Sequence, residues 1–123
     1  IREIDHGTSQ LVYYFRGNSR GPKTSDVRLT ELSDPETLKT VLSDVLGVRS
    51  VVKKKREMFK VKGVQVHLDR VDRLGRFIEF EKVVKGRASE ITEAKKGLMF
   101  LLKELGVPGR SLQTASYGEL LKS

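Results

Sequence analysis

Between Val64 and Lys82 the chain alternates apolar and polar residues at every second position in two successive runs. Gly63 precedes the first run and Gly75 the second. The first sets Val64, Val66 and Leu68 on one face and Gln65, His67 and Asp69 on the other. The second sets Ile78 and Phe80 together, with Arg76 and Lys82 at its ends, and turns Glu79 and Glu81 the opposite way beside Phe77. A period of two belongs to β-strands, whose successive side chains point to opposite faces. Glycines at hairpin spacing join such strands antiparallel. This stretch therefore demands an antiparallel sheet with one apolar and one charged face.

The remaining pattern surrounds that sheet with further strands and helices. Residues 11–16 are β-branched and aromatic and read as a strand, which Gly17 to Pro22 interrupts as a loop. Residues 26–32 alternate weakly and supply a partner strand. Asp34-Pro35 starts a helix with an N-cap acceptor and a proline in the first turn. Leu38, Val41, Leu42, Val45 and Leu46 line one face of that helix, and Gly47 supplies an αL stop. Residues 48–62 read as a strand bent near Glu57, and 76–84 as the last strand. Residues 89–105 form the longest helix, with Ile91, Ala94, Leu98, Leu101, Leu102 and Leu105 in one stripe before Gly106-Val-Pro108. A short final helix starts at Ser116, where Ser116 and Glu119 make a capping box. The fold class is α+β with an antiparallel sheet, in one domain spanning residues 1–123.

Composition narrows the partners. Twenty-four basic residues against 16 acidic ones give 123 residues a net charge of +8, a balance suited to a polyanion: nucleic acid, a phosphorylated small molecule or an acidic surface. The absence of cysteine excludes disulfides, thiolate metal sites and cysteine nucleophiles. No apolar run is long enough to span a bilayer, so no membrane partner is expected. The opening Ile1-Arg2-Glu3-Ile4 has no signal-peptide h-region. It lacks Met and opens on strand-like alternation, so the chain is expected to be a fragment beginning inside an element.

The charges on the strands point to chemistry. Glu79 and Glu81 lie at i, i+2 on one strand; Lys54 and Arg56 lie at i, i+2 on another, opposite Lys53, Lys55 and Glu57. A solvated outer face is the ordinary explanation for such charges. A sheet curled into a barrel would instead place them inside, balanced by a ligand. Paired carboxylates can hold Mg²⁺ or Mn²⁺, whose shell substrate phosphates complete, and Lys and Arg can hold the remaining phosphate oxygens. Metal-dependent phosphoryl chemistry needs that combination.

Val51-Val-Lys-Lys-Lys-Arg56, Val66-His-Leu-Asp-Arg-Val71 and Leu74-Gly-Arg-Phe-Ile-Glu-Phe-Glu81 resemble the CYTH domain, the superfamily of triphosphate tunnel metalloenzymes. That superfamily includes class IV adenylyl cyclases, thiamine triphosphatases and inorganic triphosphatases. Ile1-Arg-Glu3, Tyr13-Tyr-Phe-Arg16, Gly21-Pro-Lys23 and Ser116-Tyr117 also look like its prokaryotic cyclase-like branch. The resemblance implies an eight-stranded antiparallel β-barrel, tunnel-like, with helices packed outside. It implies Lys54 and Arg56 as catalytic, phosphate-binding residues, with Arg2, Arg16, Lys23 and Arg28 as further phosphate contacts. It implies Glu79 and Glu81 as metal ligands, with Asp69 as ligand or orienter, and Mg²⁺ or Mn²⁺ as the ion. The substrate would be ATP, thiamine triphosphate or inorganic triphosphate, in a cytoplasmic protein for which a homodimer stays open. The family's N-terminal Glu-x-Glu-x-Lys strand has no counterpart here, so one or two N-terminal strands are expected to be missing.

Other residues have plainer readings. His67, on the polar face beside Asp69, suits a structural hydrogen bond to the neighbouring strand better than a general base. His6, near Gly7, is expected to be exposed. Tyr13, Tyr14 and Phe15 are expected in core and wall packing. The six basic residues among positions 53–62 could form a nucleic-acid patch, but alternation divides them between two faces. The rival function is a non-catalytic basic module that binds polyphosphate or RNA.

Overall fold

A computed structural model describes residues 1–5, 7–17 and 21–122. The readings for His6 and for the middle of the 17–22 loop lie outside the described residues. The chain forms two compact units, one of Ile1–Gly17 with Thr24–Arg49, the other of Asn18–Lys23 with Ser50–Ser123.

The first unit holds β1 (Arg2–Glu3), β2 (Ser9–Arg16), β3 (Ser25–Leu32) and α1 (Pro35–Leu46). The strands pair antiparallel in the order β1-β2-β3. Asp34 Oδ1 accepts from the Thr37 amide at 3.1 Å, which caps α1 as the sequence predicts. Gly47 ends it at φ 74° and ψ 171°, not in the αL well but in the extended positive-φ region open essentially to glycine. No residue of α1 is buried. Tyr13, Tyr14 and Phe15 are 62%, 50% and 71% exposed, which corrects the expectation of core packing: β2 is aromatic, but nothing described covers it.

The second unit holds β4 (Lys54–Val61), β5 (Val64–Val71), β6 (Gly75–Glu81), α2 (Ala88–Glu104), a 3₁₀ turn at Gly109–Ser111 and α3 (Tyr117–Leu120). Its sheet runs β4-β5-β6, antiparallel throughout. Lys62 and Gly63, at φ 50° and 75°, make the β4–β5 turn; two residues in that conformation match the strand twist. β4 starts at Lys54, so residues 48–53 do not continue the strand and no bend at Glu57 is needed. The described strands thus form two three-stranded sheets, and neither closes into a barrel.

The core is small. Val64, Val66 and Leu101 are buried together, with Phe80 and Leu98 packed against them. β5 faces Phe80 through Val66 and Ile78 through Leu68. α2 covers the first pair and not the next one along, so Ile78 stays 56% exposed, contrary to its expected place against a helix. On the other face of β5, His67 and Asp69 are the buried polar residues. The charged face is the protected one over part of its length. None of the helices is long and apolar enough to cross a membrane, among the described residues.

Candidate functional site

Cross-strand register builds the site in rows. Arg56, Asp69 and Phe77 stand opposite one another across β4, β5 and β6; Met58, His67 and Glu79 form the next row, and Lys60, Gln65 and Glu81 the one after. Paired residues of antiparallel strands share a face, so these rows form one surface. Lys55 pairs with Arg70 on the opposite face.

Asp69, 2% exposed, is the hub. Arg56 grips it with two parallel bonds, Nε to Oδ1 and Nη2 to Oδ2, each 2.7 Å, the fork geometry that makes Arg–carboxylate pairs strong. Tyr117 of α3 donates its hydroxyl to Oδ2 at 2.9 Å, and Lys54 Nζ lies 3.7 Å from the same oxygen. Burial alone would raise the Asp69 pKa. The hydrogen bonds from Arg56 and Tyr117, with the charges of Arg56 and Lys54, outweigh it and hold the carboxyl below its ordinary value. Arg56 is raised in turn, chiefly by that same bond. Tyr117 is pushed up by burial and then by Asp69.

Tyr117 is fixed from several sides. Its ring sits 5.0 Å from Phe77, and Lys54 Nζ lies 5.2 Å above it. The Ser116–Glu119 capping box expected from sequence is present and starts the turn that presents the ring.

Beyond Asp69 the character changes. Arg56 Nη2 also reaches Glu79 Oε2 at 3.3 Å. His67, 2% exposed, sets Nδ1 3.3 Å from Glu79 Oε1, the cross-strand contact read for it in the sequence. Its Nε2 faces Glu81 Oε2 at 3.9 Å and is buried with no hydrogen-bond partner. His67, Glu79 and Glu81 can each offer a ligand atom within 4.8 Å of the others.

The fold thus brings together Lys54, Arg56, Asp69, Glu79 and Glu81. Lys23, in the same unit, donates to the Thr114 carbonyl at 3.0 Å. In the first unit, Arg2 pairs with Gln10 and lies on the same sheet face as Arg16, which stacks over Tyr14 at 5.6 Å. Arg28 pairs with Tyr13 and lies on the opposite face, so the sheet does not gather these three arginines on one side. The expected metal role of Asp69 meets competition, because its oxygens already serve Arg56, Tyr117 and Lys54. Two participants have no ligand or substrate role in the sequence analysis. His67 was visible on the polar face but its unpartnered nitrogen was not, and Tyr117 lies 48 residues from Asp69, with no periodicity to link them.

The comparisons agree with this architecture. The CYTH domain matches residues 1–117, and the chain belongs to that family. It is 30% identical over 112 residues to a protein of Methanocaldococcus jannaschii named "Putative adenylate cyclase MJ0240", covering 82% of this chain and 61% of that one. The chain therefore spans less than two thirds of that relative. The solved PH1819 protein of Pyrococcus horikoshii superposes with a TM-score of 0.71 at 36% identity, over 94% of this chain and 65% of that one. The PH1012 protein of the same organism superposes with a TM-score of 0.79 at 24% identity, over 94% and 68%, which speaks for the fold alone.

Proposed function

We propose that the protein carries out metal-dependent phosphoryl chemistry on a triphosphate-bearing small molecule, either hydrolysing inorganic or organic triphosphate or cyclising ATP. One observation carries the reading: Lys54 and Arg56 converge on a single buried carboxylate beside Glu79 and Glu81, on one sheet face. Asp69 orients the two cations. It engages Nε and Nη2 of Arg56, whose Nη1 makes no hydrogen bond to a described residue and is left to donate to a phosphate oxygen. Lys54 adds a compact positive charge at the same edge.

Glu79 and Glu81 would hold the divalent ion, Mg²⁺ or Mn²⁺, and the donor set fits one: two carboxylates of β6 with an unpartnered buried nitrogen on the adjacent β5. When bound, such an ion neutralises phosphate charge and activates a water or hydroxyl. Arg56 then stabilises charge developing on the transferred group, preorganised by Asp69 before the substrate arrives. Family resemblance adds a closed antiparallel barrel and further phosphate contacts from Arg2, Arg16, Lys23 and Arg28. The name of the M. jannaschii relative favours ATP and the cyclising branch.

The test is release of phosphate and formation of cyclic nucleotide from inorganic triphosphate, ATP and thiamine triphosphate, with Mg²⁺ and with Mn²⁺. Charge-assisted contacts contribute roughly 1.5–3 kcal/mol each. Lys54→Ala should therefore weaken triphosphate binding about tenfold or more, while Lys55→Ala, on the opposite face, should leave it little changed. Equal losses would indicate a diffuse basic patch. Tight binding without turnover under any metal would favour the non-catalytic module for polyphosphate or RNA.

A further inference from the structure

We infer that the third protein ligand of the metal site is His67 and not Asp69, and that the site therefore takes a transition ion of the Mn²⁺, Co²⁺ and Zn²⁺ class in preference to Mg²⁺. The inference rests on the metal-dependent reading of this site and specifies its ion.

Two observations meet here. The first is the orphaned nitrogen. His67 is 2% exposed; its Nδ1 is engaged by Glu79 at 3.3 Å, while Nε2 is buried with no hydrogen-bond partner and turned toward Glu81 Oε2 at 3.9 Å. Its other cross-strand neighbour is Met58, which has no donor to offer. Buried polar atoms in folded proteins are almost always satisfied, and an exception calls for a water or an ion as partner. With Nδ1–H donated to Glu79, Nε2 presents a lone pair to a carboxylate oxygen, two electron-rich atoms that a cation between them would reconcile. Two bonds of about 2.0–2.2 Å from imidazole and carboxylate to a transition ion span up to about 4.4 Å. The 3.9 Å between His67 Nε2 and Glu81 Oε2 lies inside that reach, and the wider limit of 4.8 Å for the three-residue group needs a small turn of a carboxylate.

The second observation concerns Asp69. Its two oxygens already accept two bonds from Arg56 and one from Tyr117, with Lys54 at 3.7 Å. To ligate an ion it would have to release groups that the phosphate reading needs in place. Glu81 is about half-exposed and makes no hydrogen bond to a described residue; Glu79, also about half-exposed, has two long 3.3 Å contacts to exchange, with Arg56 and His67.

The donor chemistry sets the ion. Mg²⁺ is a hard ion that keeps oxygen ligands and several waters. Imidazole nitrogen suits the later first-row ions, whose affinity for mixed nitrogen and oxygen sites rises along the Irving–Williams order.

The test reads the histidine itself. The chain has only two histidines, so the full chain labelled with ¹⁵N gives two imidazole patterns in a long-range ¹H–¹⁵N correlation, and His6→Gln assigns them. On adding one equivalent of Zn²⁺, the His67 Nε2 resonance should move to the metal-bound range, while a large excess of Mg²⁺ should leave it in place. By calorimetry, His67→Asn should lower Zn²⁺ and Co²⁺ affinity about tenfold or more, at least what losing an outer partner of a ligand costs, with Mg²⁺ affinity little changed. An Nε2 resonance unmoved at saturating Zn²⁺ would overturn the inference. So would loss of Zn²⁺ binding in Asp69→Asn but not in His67→Asn. If Nε2 shifts and no triphosphate is turned over, the metal assignment stands and the functional proposal fails; Mg²⁺-supported turnover with Nε2 unmoved gives the reverse.

Discussion

The two three-stranded sheets use the same local grammar and reach opposite results. In β1–β3 no residue is buried, and the aromatic side chains of β2 stand largely exposed. In β4–β6 the central strand buries Val64, Val66, His67, Asp69 and Val71, drawing on both faces. Paired strands, hairpin glycines and alternation occur in both. What differs is coverage: α2 covers Val64 and Val66 on one side of β5, and α3 brings Tyr117 over Asp69 on the other. Alternation decides which residues share a face. Only the elements that pack on a face decide whether its charges are solvated or held in place for a ligand.

The sharpest break of that comparison is a carboxylate deletion in each sheet. Asp69→Ala would leave the Tyr117 hydroxyl without its acceptor and Arg56, partly buried, with only the longer 3.3 Å contact to Glu79. Removing one partner of a buried pair costs about 3–5 kcal/mol, and partial exposure of Arg56 puts the expectation near 3. Asp26→Ala, exposed on β3, should change stability by less than about 0.5 kcal/mol. Urea unfolding of both variants checks this. Similar losses would mean that the two sheets do not differ as described.

This contrast also explains what could be read from the sequence. The hairpin β5–β6, the caps at Asp34 and Ser116, the shared face of Lys54 with Arg56 and that of Glu79 with Glu81 follow from spacing alone, because turn chemistry and a period of two are local. The family likeness added the chemistry. The roles of Asp69 and His67 were less legible, since each depends on register. Arg56 lies opposite Asp69, and Glu79 opposite His67, pairings no single strand encodes. Tyr117 required a tertiary contact across 48 residues. Ile78 and the β2 aromatics misled for one reason: their apolar character suits a core, but whether a covering element reaches them is not written in the strand.

A smaller effect tests the Tyr117 clamp. Tyr117→Phe keeps the ring against Phe77 and removes only the hydroxyl that Asp69 accepts; a hydrogen bond to a charged group contributes about 1.5–3 kcal/mol. Tyr14→Phe, on the exposed β2, should cost almost nothing. The pH dependence gives the sign independently. The Asp69 pKa is depressed in the folded protein, so the unfolded chain binds more protons in the window between the two values. Its contribution is therefore fully present above the ordinary carboxylate value of about 3.9 and is lost as pH falls through the lowered folded value. Acid titration of stability should show that loss in the wild type, a smaller one in Tyr117→Phe and none from this group in Asp69→Asn.

The smallest expected change tests the uncovered sheet. Phe15 is 71% exposed on β2, paired with Asp26 across the strand. Burying a Phe fully contributes about 1.5–3 kcal/mol relative to leaving it in water, so a ring this open draws on little of that. Phe15→Ser should therefore shift stability by less than about 0.5 kcal/mol, within the ordinary range for surface substitutions. Phe80→Ser, whose ring packs on Val64, Val66 and Leu101, should cost several-fold more in the same urea titration. A loss above about 2 kcal/mol for Phe15→Ser would be the scale of core truncation. It would mean that β2 is covered in solution, and that the difference in coverage between the two sheets is smaller than their exposures indicate.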